Sequence, residues 1–486
     1  MKPALLFLLP ATVVLAGFEP SVRIDHESLP GRKCVYPVIT LGPGAESNQP
    51  IYVMFGDDSS ACSDVVFQKS MDAGRTWLPA DVVVRHCGPL GSVLRPDMTT
   101  DSDGNVYIVY YDDAMPNDPT CCVKSTDGGA TWLPPIRVDD RARGGGGWVR
   151  IATDSAGNLF CAWNDDRTGS LHIWSSVSTD RGATWRQNVR VDDDTTIIGC
   201  YQADVFVQPG TNHYLVVAQA PCYMGDYWSL GCYLYRSTDM GLTFQPGVRF
   251  DTFAGGASQP HVVADSQHII CDHSPDRAEA RTLYVQPDTW GAPSFMGYTE
   301  DSGTKLAISA DGRVHAVLVV YDDSLCDYRT CYTSSFDYGA TWSEPELVMD
   351  DTTEGSYDPD IGADSAGRAY VVWRSNTTRQ GEIWFATKSP AAIAEQTPRP
   401  GFNGACSGEP DPFTRSVAVK WNSPASIGSA TRVYSQDGRL VKQAQIRAGQ
   451  NQWVWDGRDD SGALLPPGIY VIEAGPGLRD KVVKTK

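Results

Sequence analysis

One eight-residue pattern occurs five times in the chain, and it restricts the possible folds more than any other feature of the sequence. The copies read SMDAGRTW, STDGGATW, STDRGATW, STDMGLTF and SFDYGATW, and their central aspartates are Asp72, Asp127, Asp180, Asp239 and Asp337. Successive aspartates are 55, 53, 59 and 98 residues apart. A period of about 50 residues is typical of supersecondary units that stack on copies of themselves. Because the last interval is about twice the others, we expect a degenerate copy near Asp288, in QPDTWGAPS.

Each copy belongs to a longer unit that predicts a series of short strands. The stretches RPDMTTDSDGNVYIVYYDD, WVRIATDSAGNLFCAWNDD and YDPDIGADSAGRAYVVWRS begin at Arg95, Trp148 and Tyr357. Each predicts a short strand, a glycine-containing turn and a second strand rich in Val, Tyr and Trp. A third strand such as LHIWSSVS precedes the eight-residue pattern, and a segment such as VRVDD follows it. Four short antiparallel strands per unit predict an all-β fold, a β-propeller with one unit in each blade.

The eight-residue pattern suits the turn between the third and fourth strands. Its aspartate can accept hydrogen bonds from nearby backbone N–H groups, its glycine tolerates a positive φ angle, and its Trp or Phe can pack beside a neighbouring sheet. It contains no nucleophile beside a base, so we interpret it as structural. The pattern resembles the Asp-box, or BNR repeat, of the sialidase-like propellers, and the resemblance covers roughly residues 20–390. In that family the Asp-box is structural, which implies the same role for the five aspartates.

The repeat predicts seven blades, whose innermost strands begin near Tyr36, Arg95, Trp148, Gln202, Gln259, Lys305 and Asp358. The seventh unit reaches Pro390 without a fourth strand, whereas VRIDHE at residues 22–27 is similar to VRVDD. We therefore expect the N-terminal segment to supply that strand and close the ring, which removes open sheet edges. The sialidase propellers have six blades, so a six-bladed ring is the alternative.

The N-terminal sequence MKPALLFLLPATVVLAGFEP predicts a secretory signal peptide at residues 1–17, followed by the propeller at residues 18–390. No later apolar stretch reaches the roughly 18 residues of a membrane span. We therefore expect a protein without a transmembrane segment that is exported to the medium or to the outer cell surface.

The C-terminal part predicts a second domain. Residues 391–412 are rich in Pro, Gly and Ala, which is typical of a linker. Residues 413–486 combine alternating apolar residues with an Asp-Gly turn, which predicts a small β-sandwich. This part resembles the Ig-like C-terminal sorting domains of the type IX secretion system and the Ig-like domain of flagellar hook-capping proteins, through Trp455, Asp456, Gly457, Asp459, Gly462, Gly468 and Tyr470. The resemblance implies the secretion machinery as a partner, and an ordinary accessory sandwich is the alternative.

The net charge of the chain narrows the class of partner. The chain has a formal net charge of −19, although residues 413–486 hold 11 basic and 6 acidic residues. An acidic exported body argues against nucleic acid as a partner.

The 13 cysteines are an odd number, so at least one is unpaired if the others form disulfides. The closest candidate pairs are Cys326 with Cys331 and Cys222 with Cys232, and no cysteine spacing predicts structural zinc.

The candidate binding face lies where the innermost strands begin around the central channel, since concave sites form there. Alignment of the units places these side chains on that face: Arg95, Asp97, Trp148, Arg150, Gln202, Asp204, Gln259, His261, Lys305, Asp358 and Asp360. Arginine and lysine suit anionic groups, tryptophan can stack on a sugar ring, and aspartate can bind hydroxyls. We therefore expect an extracellular carbohydrate or other polymer to bind at the channel mouth.

Acidic pairs recur at the ends of second strands: Asp57-Asp58, Asp112-Asp113, Asp165-Asp166 and Asp322-Asp323. Calcium prefers such clustered carboxylates, and turn formation is the other interpretation. Because the pairs repeat from blade to blade, we favour the structural interpretation and predict no metal ligands.

The catalytic residues implied by the sialidase resemblance are not apparent. That family needs three arginines on the substrate carboxylate, a Tyr–Glu nucleophile pair and an acid/base Asp. Val35 in CVYPVI stands where the first arginine belongs, Arg32 and Lys33 are out of register, and the nearest Tyr–Glu pair is Tyr298 with Glu300. Three hypotheses follow: a propeller that binds a glycan or other extracellular ligand without catalysis, which we favour, a sialidase-type glycoside hydrolase, and a structural or adhesive surface module.

Overall fold

The computed structural model describes residues 17–26, 33–44, 48–58, 63–86, 93–112, 115, 117–141, 146–192, 199–223, 228–251, 258–274, 276–286, 288–299, 304–322, 327–349, 355–375 and 381–389 of the N-terminal part. In the C-terminal part it describes residues 417–420, 430–435, 440–445, 452–459, 462–466, 468–474 and 479–484. The chain divides into two compact units, residues 1–391 and 392–486. The expected signal peptide lies outside the described residues apart from Gly17. No helix among the described residues is long and apolar enough to span a membrane.

The N-terminal unit begins with a short strand, β1 (Val22–Arg23). The first blade contains β2 (Cys34–Leu41), β3 (Ile51–Asp57), β4 (Asp64–Ser70) and β5 (Val82–Arg85). The second contains β6 (Val93–Thr100), β7 (Val106–Asp112), β8 (Thr120–Ser125) and β9 (Ile136–Arg137). The third contains β10 (Gly146–Thr153), β11 (Leu159–Asp165), β12 (His172–Ser178) and β13 (Val189–Arg190). The fourth contains β14 (Tyr201–Val207), β15 (Tyr214–Tyr223), β16 (Trp228–Ser237) and β17 (Val248–Arg249).

Three further blades complete the ring. The fifth contains β18 (Ser258–Ala264), β19 (His268–Ser274), β20 (Asp276–Tyr284) and β21 (Thr289–Trp290), with β22 (Ser294–Thr299) paired to β20. The sixth contains β23 (Thr304–Ile308), β24 (Val314–Asp322), β25 (Asp327–Ser335) and β26 (Glu346–Leu347). The seventh contains β27 (Ser356–Ala363), β28 (Ala369–Ser375) and β29 (Glu382–Lys388). The predicted all-β, seven-bladed propeller is confirmed, and the six-bladed alternative is wrong.

The N-terminal segment closes the ring as the outermost strand of the seventh blade. Strand β1 pairs antiparallel with β29, with Val22 opposite Phe385 and Arg23 opposite Trp384. Asp25 is buried and accepts the backbone N–H of Ile383 at 2.8 Å, while Arg23 pairs with Asp25 at 2.8 Å. The same Arg-x-Asp arrangement ends three other blades, through Arg137 and Asp139, Arg190 and Asp192, and Arg249 and Asp251. The segments VRIDHE and VRVDD therefore share an Arg–Asp ion pair at the end of the outermost strand, and the aspartate also binds a backbone N–H of the third strand.

Both faces of each sheet are buried against neighbouring blades. The consecutive residues Cys121 and Cys122 in β8 illustrate this, because Cys121 packs in the core between the first two blades and Cys122 in the next core. Cys232 is also a free, buried thiol. It lies opposite Gln219, whereas Cys222 lies opposite Ser229. Three positions along a strand correspond to about 10 Å, too far for the suggested disulfide.

Cys331, the other described member of the suggested pairs, is likewise a free, buried thiol. Its suggested partner, Cys326, lies outside the described residues.

The eight-residue patterns form the turns between the third and fourth strands. In the second blade, the Ser125 hydroxyl accepts the backbone N–H of Gly129 at 2.7 Å and donates to Asp127 at 2.8 Å. Asp127 also accepts the backbone N–H of Thr131 at 2.8 Å and its hydroxyl at 2.6 Å. Equivalent bonds form around Asp72, Asp180, Asp239 and Asp337.

The glycine and tryptophan of the pattern contact the preceding blade. Gly129 has a φ angle of +85°, and a Cβ atom there would lie 2.2 Å from the Phe67 ring. The Trp132 ring meets the same Phe67 ring edge to face at 5.2 Å. These contacts explain why the pattern requires a glycine and an aromatic residue. The degenerate copy supplies Asp288 to the turn between β20 and β21, where it pairs with Arg236 at 3.1 Å.

The C-terminal unit contains six described strands, β30 (Val417–Lys420), β31 (Ala430–Ser435), β32 (Leu440–Gln445), β33 (Gln452–Trp455), β34 (Gly468–Ala474) and β35 (Arg479–Lys484). They form two sheets, a β30–β33 pair and a four-stranded sheet in the order β32–β31–β34–β35. Trp455 is buried and packs edge to face against Tyr470, with ring centroids 5.0 Å apart. The Tyr470 hydroxyl donates to the carbonyl of Pro466 at 2.8 Å. Two of the residues behind the Ig-like resemblance therefore form the centre of this unit.

Candidate functional site

A cavity of about 550 Å³ lies where the innermost strands of the seven blades converge. Ten of the eleven side chains expected on this face line it, among them Asp97, Trp148, Arg150, Asp204, His261, Lys305, Asp358 and Asp360. Gln202 and Gln259 line it as well. Arg95 belongs to strand β6, but its side chain lies outside the described residues. The structure thus brings residues from separate blades to one concave site.

Five innermost strands carry a non-glycine residue with positive φ at the same position: Tyr36 (49°), Trp148 (51°), Gln202 (47°), Gln259 (47°) and Asp358 (47°). The pairing with the second strand shifts register at each of these residues, and it shifts at the same place in β6. Such β-bulges redirect side chains, and left-handed backbone at a non-glycine residue persists only where its surroundings enforce it. All five residues line the cavity.

The bulges were not predicted, although the sequence contains a signal for them. A proline follows the redirected position in four of the units: Pro37, Pro96, Pro260 and Pro359. Proline inside a strand marks a bulge or an edge, because it cannot donate to the ladder.

The sixth blade departs from this arrangement. Strand β23 keeps a regular register from Thr304 to Ile308, and Lys305 lies opposite Val317. Lys305 lines the cavity, and no carboxylate among the described residues lies within ion-pair distance of its ammonium group. An ammonium group without a partner on the wall of a cavity is suited to an anion.

The inward aspartates hold adjacent blades together. Asp97 accepts the backbone N–H of Ile151 at 2.8 Å, and Asp204 accepts that of Val262 at 3.1 Å. Asp360 accepts the backbone N–H of Ile39 at 2.8 Å, across the ring closure. Burial raises the pKa of Asp360 to about 6, against the lowering effects of the Lys305 charge and the Ile39 N–H. One oxygen of each of these three carboxylates therefore accepts a hydrogen bond that links two blades.

Two of the aspartates that line the cavity, Asp204 and Asp358, face arginines. The Arg150 Nε lies 3.8 Å from Asp204, and both side chains are mostly buried. The Arg374 Nε donates to Asp358 at 2.9 Å. These contacts partly neutralise the acidic side of the cavity.

His261 lies against a buried carboxylate that the sequence did not single out. Its Nδ1 lies 3.5 Å from Asp272 Oδ1, and its backbone N–H donates to the same oxygen at 2.8 Å. Nδ1 has no hydrogen-bond partner among the described residues. Burial lowers the pKa of His261 well below its ordinary value, and the Lys305 and Arg150 charges add to this effect. The imidazole is therefore neutral at pH 7.

Asp272 is fully buried behind His261, and the Thr304 hydroxyl donates to its other oxygen. Burial raises the pKa of Asp272 to about 7, although the bonds from Thr304 and His261 lower it. Asp272 was missed because it stands inside the apolar strand β19, where neither spacing nor a turn marks it.

The acidic pairs are engaged by arginines in three blades, in the sixth through Asp322 and Arg329 at 3.6 Å. Asp112 is buried and pairs with Arg85 at 2.9 Å. Asp165 pairs with Arg141 at 2.8 Å and Arg167 at 2.7 Å. No group of three or more His, Cys, Asp or Glu side chains in the described part of the chain is arranged to hold a metal ion. The pairing of Asp112 and Asp165 with arginines fits a structural role for these two residues.

The residues considered for sialidase-type catalysis remain unassigned. Val35 is buried, and Lys33 is exposed at the start of β2. The Tyr298 side chain, Glu300 and Arg32 lie outside the described residues.

Comparison with known proteins shows two similarities. Residues 413–475 match the family model described as the FlgD Ig-like domain. A comparison with curated protein sequences gives no match. Among solved structures, a polysaccharide lyase, the PL25 ulvan lyase, is 14% identical over 74% of this chain and 96% of its own, with a TM-score of 0.51.

The PL25 ulvan lyase bound to -[GlcA(1-4)Rha3S]- is 13% identical over 77% of this chain and 96% of its own, with a TM-score of 0.50. The Trypanosoma rangeli sialidase in complex with the inhibitor DANA is 12% identical over 83% of this chain and 85% of its own, with a TM-score of 0.44. At such identities the similarity to the lyase is one of fold. The chain is a seven-bladed β-propeller with a C-terminal part similar to the FlgD Ig-like domain.

Proposed function

We propose that the propeller binds a carboxylate-bearing extracellular glycan at the mouth of its central channel. The observation that carries this proposal is the composition of the cavity. The equivalent positions on its wall hold an aspartate in three blades but Val38, Arg150, His261 and Lys305 in the other four. The eight-residue patterns repeat nearly unchanged, whereas a binding site needs such asymmetry.

The charges of the cavity support an anionic ligand. Asp97, Asp204 and Asp360 each accept a backbone N–H from the next blade, and Asp204 and Asp358 face arginines. Lys305 stands apart as a cation without a carboxylate partner among the described residues. A carboxylate of the ligand would complete that pair, with Arg150 as a second cation on the wall.

The shape of the cavity and its aromatic residues support a sugar. Trp148 and Tyr36 are directed by the bulges toward the cavity, and aromatic rings stack on the apolar faces of pyranose rings. The PL25 ulvan lyase, which has a similar fold, has been observed bound to -[GlcA(1-4)Rha3S]-, a saccharide with a glucuronic acid unit.

We further propose that the protein works outside the cell. Residues 1–17 would direct export, and the C-terminal part would act as a sorting domain of the type IX kind. The support is the apolar N-terminal run and the match of residues 413–475 to the FlgD Ig-like domain. Detection of the protein in the culture medium, and its loss from the medium after deletion of residues 413–486, would test the localisation.

Calorimetric titration of the mature protein with β-1,4-glucuronan tetrasaccharide and cellotetraose tests the binding proposal. The two saccharides share length, linkage and ring, and differ in the carboxylates. We expect the glucuronan to bind with a micromolar to millimolar Kd and cellotetraose to bind at least tenfold more weakly. Equal binding of both would contradict the role of the carboxylate, and release of sialic acid from a fluorogenic sialoside would favour the hydrolase alternative.

A further inference from the structure

Three tyrosines form a continuous row of rings at the boundary between the sixth and seventh blades. The Tyr321 and Tyr328 centroids are 5.3 Å apart at an interplanar angle of 70°, and those of Tyr328 and Tyr357 are 5.4 Å apart at 60°. Tyr321 and Tyr328 are cross-strand partners at the end of the β24–β25 hairpin. We call these three side chains the tyrosine row.

The tyrosine row lies on the same side of the propeller as the channel mouth. Second strands end, and innermost strands begin, on that side of each blade, and Tyr357 immediately precedes the cavity-lining Asp358 in β27. The Arg374 guanidinium lies 5.1 Å from the centre of the Tyr357 ring and donates to Asp358 at 2.9 Å. The row therefore starts next to a residue of the cavity wall, Asp358, and continues to the second and third strands of the sixth blade.

The inner end of the row is held in place by polar contacts. The Tyr357 hydroxyl donates to Asp327, whose carboxylate also accepts the backbone N–H of Tyr328 at 2.8 Å. At the outer end, Tyr321 is 39% exposed, far more than the tyrosines inside the blade cores. The row is thus a fixed aromatic surface with an accessible end.

No requirement of the repeat explains the tyrosine row. Counted from the serine that begins each eight-residue pattern, the positions equivalent to Tyr321 and Tyr328 are Asp58 and Ser63 in the first blade, Asp166 and Leu171 in the third, and Pro221 and Leu230 in the fourth. The same sixth blade contributes Lys305 on a strand without a bulge. Two departures from symmetry therefore occur in the same blade, which is typical of a site and not of a scaffold.

We infer that the tyrosine row is a second subsite, which binds the sugar unit next to the one held in the channel. Tyrosine offers an apolar ring face for stacking on a pyranose and a polar edge for its hydroxyls. The row deepens the proposed function and rests on it: the ligand is an oligosaccharide or polymer chain that leaves the channel across the sixth and seventh blades, and not a single sugar.

A length series of β-1,4-glucuronan, from glucuronic acid to the tetrasaccharide, tests this inference by calorimetry. In the wild-type protein we expect affinity to rise about tenfold between the monosaccharide and the trisaccharide, the size of one good stacking contact. Tyr321→Ala should abolish that gain and leave the affinity for glucuronic acid unchanged, whereas Tyr321→Phe should retain most of it.

Tyr201→Ala is a matched control, because Tyr201 is another partly exposed tyrosine on the channel side, in the fourth blade. It should leave the length dependence as in the wild type. A length dependence that survives Tyr321→Ala overturns the subsite alone. Failure of the wild-type protein to bind any member of the series overturns the proposed function, and the subsite with it.

Discussion

The Nδ1 atom of His261 lies 3.5 Å from Oδ1 of Asp272, with both side chains buried beside the central cavity. This contact joins an innermost strand to the second strand of the same blade, and the Thr304 hydroxyl extends it to the sixth blade. A neutral imidazole and a carboxyl group with a raised pKa therefore share one buried environment. We therefore expect their protonation to affect both the stability of the fold and the charge of the site.

Asp272→Asn should change how stability depends on pH. The folded pKa of Asp272, about 7, exceeds its ordinary value of 3.8, so its contribution to stability is full below pH 4 and is lost as pH rises toward 7. His261 acts in the opposite sense, since its lowered pKa contributes stability above pH 6.5 that is lost on acidification. His273 and Lys305 also interact with the carboxyl group, and both lower its pKa.

Urea unfolding at pH 5 and pH 8 measures this effect. The free energy of unfolding of the wild-type protein, relative to Asp272→Asn, should fall by about 1–4 kcal/mol between the two pH values. Parallel pH profiles for the two proteins would show that Asp272 is already ionised at pH 5.

Glucuronan should bind more tightly as the pH falls. Asp360 has a pKa of about 6 and Asp272 one of about 7, so both become neutral between pH 8 and pH 5.5, while glucuronan remains anionic. The site then loses negative charge while Lys305 and Arg150 stay charged. We expect a several-fold decrease in Kd across this range for the wild-type protein, measured by calorimetry at constant ionic strength. In Asp360→Asn the decrease should be smaller, and a Kd that rises on acidification would contradict the charge assignment.

Gly129→Ala should destabilise the propeller without weakening binding. The substitution forces a Cβ atom onto Phe67 of the preceding blade and strains a residue with a φ angle of +85°. Gly210→Ala is the matched control, because Gly210 has a φ angle of +72° but no atom within 4 Å of the new Cβ. We expect Gly210→Ala to cost about 1–2 kcal/mol and Gly129→Ala about 1–3 kcal/mol more. Loss of glucuronan binding by a folded Gly129→Ala protein would place the site on the side of the turns.

Asp25→Ala should loosen the closure of the ring. It removes the acceptor for the buried backbone N–H of Ile383 and leaves Arg23 without that partner. An unsatisfied buried donor costs about 1–3 kcal/mol, and the midpoint of thermal unfolding should fall accordingly. Asp192→Ala is the control, because it removes the equivalent bond in the third blade, whose four strands are consecutive in the chain. Cleavage by a protease near residue 26 should increase in Asp25→Ala and not in Asp192→Ala.

The parts of the fold that depend on local repetition were predictable. The spacing of Asp72, Asp127 and Asp180 gave the blades, and the similarity of residues 22–27 to VRVDD anticipated strand β1. The cavity-lining positions also followed, since each unit aligns on its own turn.

Contacts between blades could not be predicted from the repeat. The role of Asp97 and Asp204 as acceptors for the next blade depends on the packing of two sheets, which no pattern within one unit encodes. The Thr304–Asp272 bond and the Tyr328–Tyr357 contact were missed for the same reason, because each joins two blades.

The central claim is that Lys305 anchors an anionic glycan at the channel mouth, and calorimetric titration of Lys305→Ala with glucuronan tetrasaccharide tests it most directly. We predict at least a tenfold increase in Kd with an unchanged unfolding midpoint, and partial recovery in Lys305→Arg. Lys124→Ala, a control on the strand before an eight-residue pattern, should bind like the wild type. Wild-type affinity in Lys305→Ala, or an equal loss in Lys124→Ala, would contradict the account.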